Sequence, residues 1–572
     1  MKLLLVAVNA KYIHSNLAVY SLKAYTEKYL PNQQNKSVQL GLAEYTINHS
    51  EEDILARIYK ADADIVAFSC YIWNIEMILR ITGELKKVQP NVKIWLGGPE
   101  VSYDSEQCLV RHPELDGIML GEGEQTFLEL VEHYAFGEKD LEEIDGLAFR
   151  DSKRRDIVVT NLRMPLSLDA IPFPYESEAD FEHKIIYYES SRGCPFSCSY
   201  CLSSIDRKVR LRSTELVKQE LQVLLDRKVS QVKFVDRTFN CNEQHAMEIW
   251  RFIKEKDNGV TNFHFEISAD LLKKEEIEFL THLRPGQVQL EIGVQSTNPD
   301  TVEAIHRKMD LNKLKENVAL IKKGRNIHQH LDLIAGLPLE DYASFEQSFQ
   351  EVYFMKPDQL QLGFLKVLKG SPMEQQRRRY GIEYRDTAPY EVLYTDRLTF
   401  DQMLHLKGIC EMVEVYYNSG QFVNSITFLE HYYSSPMKLY EELYRFYESK
   451  NLMMMAHNRI RRYEILLEFF QVIEKQEELT KLFAELLLFD LFLREDLKSR
   501  PAFTLGKPQN NFKEIYDRYR KEFQHIHIEA FSFDLEASIR EGKPVRKEII
   551  LVFDYSHRDP ISSSVSYHIL ER

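Results

Sequence analysis

The sequence predicts an α/β multidomain protein in which a doubly wound first domain precedes a partial (βα)6 barrel and a mainly helical third region. Three observations predict this class: apolar runs alternating with amphipathic stretches up to about residue 140, a second alternating series over residues 184–365, and helical periodicity beyond about residue 372. At roughly 100 to 200 residues per domain, a chain of 572 residues is long enough for several domains. The expected division is 1–140, a linker at 141–180, the barrel at 181–371 and a third domain at 372–572.

The first series consists of short apolar runs that predict parallel strands covered by helices on both faces. They lie at 3–8, 38–42, 64–69, 92–96 and 117–120. Ligands of such sheets bind beyond the carboxyl ends of the strands. The segments expected to line a ligand crevice are therefore 9–16, 69–74, 97–102 and 121–124.

A charged hairpin-like piece at 149–159 and three prolines, Pro165, Pro172 and Pro174, indicate the linker. The barrel strands are then expected at 184–190, 232–235, 263–268, 288–294, 327–334 and 359–365. An active site of such a barrel lies at the carboxyl ends of its strands. In the third region, helices are expected at 441–450, 459–475 and 478–493, and two late strands at 546–553 and 564–569.

Composition and charge exclude several classes. The 73 Lys and Arg against 88 Asp and Glu give a net charge of −15, which argues against a broad nucleic-acid surface. Two basic stretches, 207–212 and 377–379, either touch a phosphate-bearing substrate or form solvated faces. Seven cysteines are too few for a secreted disulfide framework, and the chain has neither a long apolar run nor a signal-like start. A cytoplasmic protein without a membrane span is expected.

Three of the cysteines fall on one loop, directly after the first strand of the second series, with the spacing Cys194-x3-Cys198-x2-Cys201. Thiolates are the ligands that select iron–sulfur clusters or zinc. A structural zinc site needs four ligands, and three thiolates leave one iron of a 4Fe–4S cluster without a protein ligand. A zinc site or an incidental group of thiols is the alternative interpretation.

This triplet, with the aromatic Tyr200 before its last cysteine and a (βα)6 series around it, resembles the radical S-adenosylmethionine (SAM) enzymes. The resemblance implies that SAM chelates the open iron and is cleaved reductively to a 5′-deoxyadenosyl radical. It also implies a reducing partner such as flavodoxin or ferredoxin. Since the cofactors carry the chemistry, no catalytic side chain is assigned beyond them.

Further motifs resemble the SAM-binding elements of this family at the ends of later strands. The resemblance places Asp236 near the amino group of SAM, Ser268 near its ribose or carboxylate, and Ile334 and Gly336 along its adenine. Glu291 and Gln295 match the acidic and Gln-containing motif of the fourth strand. For each polar residue, strand capping or barrel packing is the alternative.

The first domain resembles the flavodoxin- or Rossmann-like module of the cobalamin-binding subgroup, and a generic nucleotide-binding domain is the alternative. Two glycines at a strand end allow backbone to approach a bulky ligand closely. The residues expected at cobalamin are Asn9, His14, Ser69, Tyr71, Gly97, Gly98, Pro99, Glu100, Gly121 and Glu122.

The chain departs from corrinoid domains that use Asp-x-His-x-x-Gly, because Lys11 stands at the place of that histidine and His14 follows three residues later. Base-off cobalamin with an open lower face is therefore expected, with His14 as the alternative axial ligand.

The resemblance implies methyl transfer from methylcobalamin to an unactivated centre. The alternatives are a cobalamin-assisted rearrangement or ring contraction, a tRNA methylthiotransferase, and a non-catalytic corrinoid sensor. The methylthiotransferase needs three further cysteines in the first domain, which has only Cys70 and Cys108. The protein is expected to be a monomer whose third domain caps the barrel.

Overall fold

The structure, a computed structural model, describes residues 1–31, 37–151, 156–175, 183–497, 500–504, 512–520, 523 and 525–570. Its first sheet has seven strands in the order β2-β1-β3-β4-β5-β6-β7, and the first five are parallel. The strands are β1 Lys2–Asn9, β2 Gln39–Thr46, β3 Ile65–Ser69, β4 Lys93–Gly97, β5 Gly117–Met119, β6 Leu147–Asp151 and β7 Asp156–Val159.

Both faces of this sheet are apolar because helices cover each of them. Along β1, Leu3, Leu5 and Ala7 pack in one buried cluster while Leu4 and Val6 pack in another. Successive side chains of the strand thus pack alternately in the two clusters on opposite faces of the sheet. Both sets are buried, which explains the continuous apolar run in the sequence. The helices of this domain are α1 Leu17–Tyr29, α2 Glu51–Ala61, α3 Ile75–Val88, α4 Pro99–Ser102, α5 Ser105–Arg111 and α6 Glu124–Phe136.

The predicted linker differs in part from the structure. Leu147–Asp151 and Asp156–Val159 form the antiparallel pair β6–β7, which extends the first sheet beyond β5. The hairpin pattern in the sequence was visible, but its pairing with β5 depends on residues that are distant along the chain. Of the rest of the expected linker, residues 152–155 and 176–182 lie outside the described residues.

The second sheet is a six-stranded parallel partial barrel in the order β15-β14-β13-β12-β11-β8. Its strands, with the small hairpin β9–β10 at the cysteine loop, are β8 Ile185–Tyr188, β9 Ser191–Arg192, β10 Arg210–Leu211, β11 Gln231–Phe234, β12 Asn262–Ile267, β13 Val288–Gln295, β14 His328–Ala335 and β15 Gln359–Phe364. The covering helices are α7 Thr214–Asp226, α8 Glu243–Glu255, α9 Lys274–Leu280, α10 Pro299–Ala304, α11 Leu311–Gly324 and α12 Tyr342–Phe354.

The two open edges of the barrel are covered by the other two regions. At β8, the amide of Ile185 donates to the carbonyl of Ile13 at 2.7 Å, so a loop of the first domain continues the sheet. At β15, the side-chain amide of Asn418 both accepts from Leu360 N and donates to Leu360 O, each at 2.9 Å. Unpaired strand edges are thereby satisfied at both ends.

The third region is mainly helical, as predicted, and ends in a three-stranded antiparallel sheet. A short hairpin, β16 Glu383–Tyr384 and β17 Val392–Tyr394, follows the first helix of this region and precedes the others. The helices are α13 Pro372–Gln376, α14 Phe400–Val413, α15 Val423–Leu429, α16 Pro436–Ser449, α17 Arg459–Ile473, α18 Glu477–Arg494, α19 Lys513–Tyr519 and α20 Leu535–Glu541, and the last strands are β18 Ile526–Phe533, β19 Arg546–Arg558 and β20 Val565–Leu570.

The first of these last strands, β18, was missed in the sequence. Its alternation is interrupted by a buried charge at Glu529, which is 3% exposed. Elsewhere the fold class is confirmed in all three regions. Within the described part of the chain, no helix is both long and apolar enough to cross a membrane.

Candidate functional site

The three-cysteine loop leaves the barrel between β9 and a short 3-10 turn, and its backbone is held tightly. Gly193 has φ +99°, and a Cβ there would lie 2.6 Å from the carbonyl oxygen of Lys208, so only glycine fits. The amide of Cys194 donates to the carbonyl of Asp206 at 3.0 Å. Cys194 and Cys198 are buried and Cys201 is half-buried.

The donor set of this loop suits a cluster better than one zinc ion. It offers three thiols, those of Cys194, Cys198 and Cys201, and none of them is in a disulfide. A structural zinc site needs four protein ligands. Three thiolates leave one iron of a 4Fe–4S cluster without a protein ligand, and the donor set therefore fits a 4Fe–4S cluster with one open iron.

Arg307 is a residue at this loop that sequence reasoning missed. Its Nη1 lies 3.9 Å from the sulfur of Cys198 and 3.3 Å from the hydroxyl of Tyr200, and its Nη2 donates to the carbonyl of Gly293. Burial raises the pKa of the Cys198 thiol, and the guanidinium opposes that shift. A fixed cation therefore stands beside the thiolate that a cluster requires.

Asp236 lies next to the cysteine loop but has its own partners. Its carboxylate accepts from the amide of Ser190 at 2.9 Å and from the hydroxyls of Ser190 and Ser191, each at 2.6 Å. Burial raises its pKa to about 6. In this arrangement Asp236 positions the start of the cysteine loop.

The other predicted SAM residues lie at the carboxyl ends of β12 to β14. The hydroxyl of Ser268 donates to Asp270 at 2.7 Å. Gln295 follows a bulge in β13, adopts φ +73°, and its buried Oε1 has no hydrogen-bond partner among the described residues. An unpaired buried acceptor on a strained residue is typical of a ligand site, and it fits the amino and hydroxyl donors of SAM. Ile334, near the carboxyl end of β14, is half-buried.

Glu291 lies deeper in the barrel than Gln295. Lys233 donates to its Oε2 at 2.9 Å, and Nε2 of His264 lies 2.9 Å from the same oxygen. These charges hold the pKa of Glu291 below its usual range, against the effect of burial. Lys233 and His264 were not predicted beside Glu291, because the three residues belong to different strands.

At the first domain, the predicted crevice is built largely from backbone. Gly98 has φ +112°, and a Cβ there would lie 2.5 Å from the carbonyl of Cys70. Gly121 has φ +72°, is exposed, and has nothing within 4 Å of an added Cβ. Gly97 and Pro99 flank Gly98 at the end of β4. Positive φ at Gly98 and Gly121, together with close packing at Gly98, explains why glycine stands at both positions. The open space at Gly121 is available for a ligand.

The rim of this crevice is aromatic. Large apolar side chains follow β1, β3 and β4 and remain exposed: Tyr12 67%, Ile13 42%, Trp73 42% and Tyr103 46%. Tyr71 stacks on Trp73 with ring centroids 4.5 Å apart. A surface of this kind at the ends of parallel strands fits a large flat ligand such as a corrin. Tyr12, Ile13, Tyr71 and Trp73 lie within the segments predicted to line the crevice, and Tyr103 lies just outside them.

Asn9, His14 and Ser69 form a polar network beneath this rim. Asn9 donates to Glu44 at 2.9 Å and to the carbonyl of His14 at 3.0 Å. The imidazole of His14 contacts the hydroxyl of Tyr187 in the barrel at 2.8 Å. Ser69 accepts from Asn16 at 3.3 Å. The structure thus gives His14 a partner on β8, and its role as an axial ligand stays a prediction.

The two acidic residues predicted at cobalamin, Glu100 and Glu122, are engaged elsewhere. Glu100 is buried, accepts from the hydroxyl of Tyr390, and lies 3.2 Å from Lys369. Glu122 pairs with Arg192 at 3.0 Å and with Arg210. Both carboxylates therefore join the first domain to other regions.

The basic stretch at 207–212 is also partly structural. Arg212 is buried, pairs with Glu220, and donates to the carbonyl of Ile171 at 2.8 Å. Together with Arg210 it faces protein, whereas Arg207 is exposed. Within this stretch, two of the arginines are therefore not free to contact a phosphate.

Comparison with known proteins identifies two of the three regions. Residues 3–131 match the B12 binding domain, residues 188–352 match the Radical SAM superfamily, and residues 378–553 match a protein family of unknown function, DUF4080. The chain therefore contains a B12-binding domain and a radical SAM domain. The predicted cofactor classes, a 4Fe–4S cluster, SAM and cobalamin, are confirmed with these domains, while the individual binding residues remain predictions.

Relatives share this arrangement at low identity. The chain is 24% identical to the cobalamin-dependent radical SAM methyltransferase TokK of Streptomyces tokunonensis, over 64% of this chain and 57% of TokK. It is 25% identical to the anaerobic magnesium-protoporphyrin IX monomethyl ester cyclase of a Synechocystis strain, over 50% of this chain and 58% of that cyclase. The matches thus span less than two thirds of either relative.

A solved structure shares the fold. It is that of OxsB, a cobalamin-dependent S-adenosylmethionine radical enzyme with aqua-cobalamin and S-adenosylmethionine bound, with TM-score 0.56 and 15% identity over 83% of this chain and 79% of OxsB.

Proposed function

We propose that this protein is a cobalamin-dependent radical SAM enzyme that transfers a methyl group to an unactivated centre. The observation that carries the proposal is the joint geometry of a three-thiolate loop with an open ligand position and an adjoining crevice with an exposed aromatic rim. When bound, the cofactors supply the radical and the methyl group. The methyltransferase relatives support this choice.

The chain's own residues hold and orient these groups. Cys194, Cys198 and Cys201 bind the cluster, and Arg307 balances the charge of the Cys198 thiolate. Gln295 accepts a hydrogen bond from SAM, because its Oε1 has no partner among the described residues. Tyr71 and Trp73 pack against the corrin from the first domain, and Gly121 leaves room for it.

We propose the domain division 1–140, 141–180, 181–371 and 372–572, with β6 and β7 of the second segment joined to the first sheet and the third domain closing the barrel mouth. Gly336, at the end of β14, supports this role, since a Cβ there would lie 2.6 Å from Val392 Cγ1. The segment after β15 thus lies directly over the strand end that was predicted to meet adenine. Its contacts to Glu100 link the same segment to the first domain.

A reductant is required by every radical SAM enzyme, and we propose flavodoxin or ferredoxin for this one. All seven cysteines are free thiols, which favours a reducing compartment and hence a cytoplasmic protein. We propose a monomer, because the edges of the barrel are covered by this chain itself.

The experiment uses protein reconstituted anaerobically with iron, sulfide and hydroxocobalamin, then reduced with SAM carrying a deuterated methyl group. We expect 5′-deoxyadenosine and a deuterated methyl group on cobalamin, both measured by mass spectrometry without any substrate. Cluster-replete protein that forms neither would contradict the proposal and favour a corrinoid sensor.

A second candidate is a cobalamin-assisted rearrangement or ring closure without methyl transfer, favoured by the similarity to the ester cyclases. It predicts 5′-deoxyadenosine but no deuterated methyl group on any product. A tRNA methylthiotransferase is disfavoured, because it needs a second cluster held by three cysteines in the first domain, which has only Cys70 and Cys108, both buried.

A further inference from the structure

The interior of the barrel contains a group of charged side chains that the cysteine loop and the crevice do not use. On β11 to β14, alternate residues face inward, and several of them are ionisable. They are Lys233, His264, Glu266, Glu291, His330 and Asp332. The interior of a parallel barrel is usually filled by branched apolar side chains, so this concentration of charge needs a reason.

Three of these residues offer ligand atoms to a common point. One ligand atom each of Glu291, His330 and Asp332 lies within 4.8 Å of the other two. Nε2 of His330 is 3.0 Å from Oδ1 of Asp332, yet neither atom forms a hydrogen bond to any described residue. The two atoms are therefore close without being aligned for an N–H···O bond.

His264 shows the same relation to Glu291. Its Nε2 lies 2.9 Å from Oε2 of Glu291 and also forms no hydrogen bond with correct geometry among the described residues. His264 is 7% exposed and His330 is 6% exposed. Unpaired polar atoms this deeply buried are rare in proteins, and here two imidazoles leave theirs beside the same carboxylates.

A shared cation explains why these imidazole nitrogens and carboxylate oxygens lie close together without a hydrogen bond. Two ligands that bind one metal ion at about 2.1 Å lie about 3.0 Å apart at right angles and about 3.4 Å apart at the tetrahedral angle. Such ligands approach one another without a hydrogen between them. The Lys233 ammonium contacts only Oε2 of Glu291, which leaves Oε1 of that carboxylate for a cation.

We propose that Glu291, His330 and Asp332 bind a divalent transition-metal ion, such as Zn²⁺, inside the barrel, with His264 as a fourth ligand or the support of Glu291. Imidazole with carboxylate suits zinc and its first-row neighbours better than magnesium or calcium. Remaining coordination positions face the barrel interior, where water or a substrate donor atom binds. This proposal does not depend on methyl transfer.

The test uses the full-length protein with Cys194, Cys198 and Cys201 replaced by alanine, so that cluster thiolates do not compete for the added ion. After chelation and dialysis, Zn²⁺ is titrated and bound zinc is measured by elemental analysis. We expect about one equivalent to be retained. Adding His330→Ala or Asp332→Asn should lower zinc affinity by roughly tenfold or more.

The matched control is His405→Ala in the same background. Nε2 of His405 forms a hydrogen bond of 3.1 Å with Glu441, so it is a half-buried imidazole–carboxylate pair with ordinary geometry. Zinc binding should be unchanged in this control. Binding that is equal in the His330, Asp332 and His405 variants, or no retained zinc in the parent, would overturn the proposal.

A second measurement does not require the variants to fold. Co²⁺ bound to the parent should give weak visible bands without the near-ultraviolet thiolate band, since its ligands would be nitrogen and oxygen. A strong thiolate band would place the ion at the remaining cysteines and refute the site in the barrel. Circular dichroism identifies any variant that has lost its fold.

Discussion

The crevice of the first domain and the interior of the barrel prepare for ligands in different ways. The crevice presents glycines and exposed aromatic rings, and its acidic side chains Glu100 and Glu122 are tied to other regions. The barrel presents buried side chains, some of which have unpaired polar atoms, such as Gln295 Oε1. The crevice therefore recognises its ligand by shape and by close backbone contact. The barrel recognises its ligands through individual polar atoms that face them.

This difference follows from what each ligand offers. A corrin is broad and largely apolar, so close backbone and flat rings suit it, whereas SAM and a metal centre present charges that need individual partners. Substitutions should therefore affect the two regions differently, with small steric changes decisive in the crevice and charge changes decisive in the barrel.

The largest effect is expected at the cysteine loop. Replacing Cys194, Cys198 or Cys201 with alanine should abolish iron binding and 5′-deoxyadenosine formation, because each thiolate binds a separate iron. Iron content and the visible spectrum of the reconstituted protein measure this loss. Cys410→Ala is the control: its thiol donates to the carbonyl of Leu362, and the variant should keep its cluster. An alanine variant with full iron content would contradict the assignment.

In the crevice, Gly98→Ala should reduce cobalamin affinity by roughly tenfold to a hundredfold. The added methyl group would lie 2.5 Å from the carbonyl of Cys70, and φ +112° is unfavourable for alanine. The strain is of order 1–3 kcal/mol. Equilibrium dialysis with hydroxocobalamin measures the affinity.

The matched control for that substitution is Gly83→Ala, within α3, where nothing lies within 4 Å of the added Cβ. It should leave binding unchanged and stabilise the helix by about 0.5–1 kcal/mol. If both variants bound cobalamin equally well, recognition by close backbone would be wrong.

Much of the fold was predictable because it depends on local periodicity. The strands of both parallel sheets follow from apolar runs flanked by helical stretches, and the cysteine loop follows from three residues at close spacing. The pairing of β6 with β5 and the strand β18 were not predicted, since the first needs a contact between distant residues and the second carries the buried Glu529. The edges closed by Ile13 and Asn418 also involve distant residues.

The site was predictable only where a motif is continuous in sequence. Lys233, His264, His330 and Arg307 come from separate βα units, and only the register of β11 to β14 brings the first three together. Glu100 and Glu122 were predicted at the ligand because they follow glycines at strand ends. Their pairing with Lys369, Arg192 and Arg210 was not predictable, because those residues are distant along the chain.

In the barrel, Arg307→Gln should slow SAM cleavage by roughly tenfold without loss of iron. Removing the cation beside Cys198 disfavours the added electron, and a tenfold change corresponds to about 1.4 kcal/mol, or about 60 mV for one electron. The reduction potential of the cluster and the rate of 5′-deoxyadenosine formation are the measurements. Arg207→Gln, at an exposed arginine near the same loop, should change neither. An unaltered potential in Arg307→Gln would show that the guanidinium serves only packing.

The smallest effect is expected for Glu122→Gln. This variant tests whether Glu122 binds cobalamin or only joins the first domain to the barrel. Glu122 pairs with Arg192 at 3.0 Å and with Arg210, and these side chains are only 14% to 22% exposed. Loss of the carboxylate leaves Arg192 with Glu124 at 2.9 Å and Glu189 at 2.7 Å, so the guanidinium keeps two partners. The free energy of unfolding should therefore fall by only about 1 kcal/mol.

Because the crevice uses backbone and rings, cobalamin affinity should change by less than roughly threefold. Denaturant titration and equilibrium dialysis on the same variant measure both quantities. A large loss of affinity with unchanged stability would instead place Glu122 at the ligand, and the distinction between the two regions would then not hold.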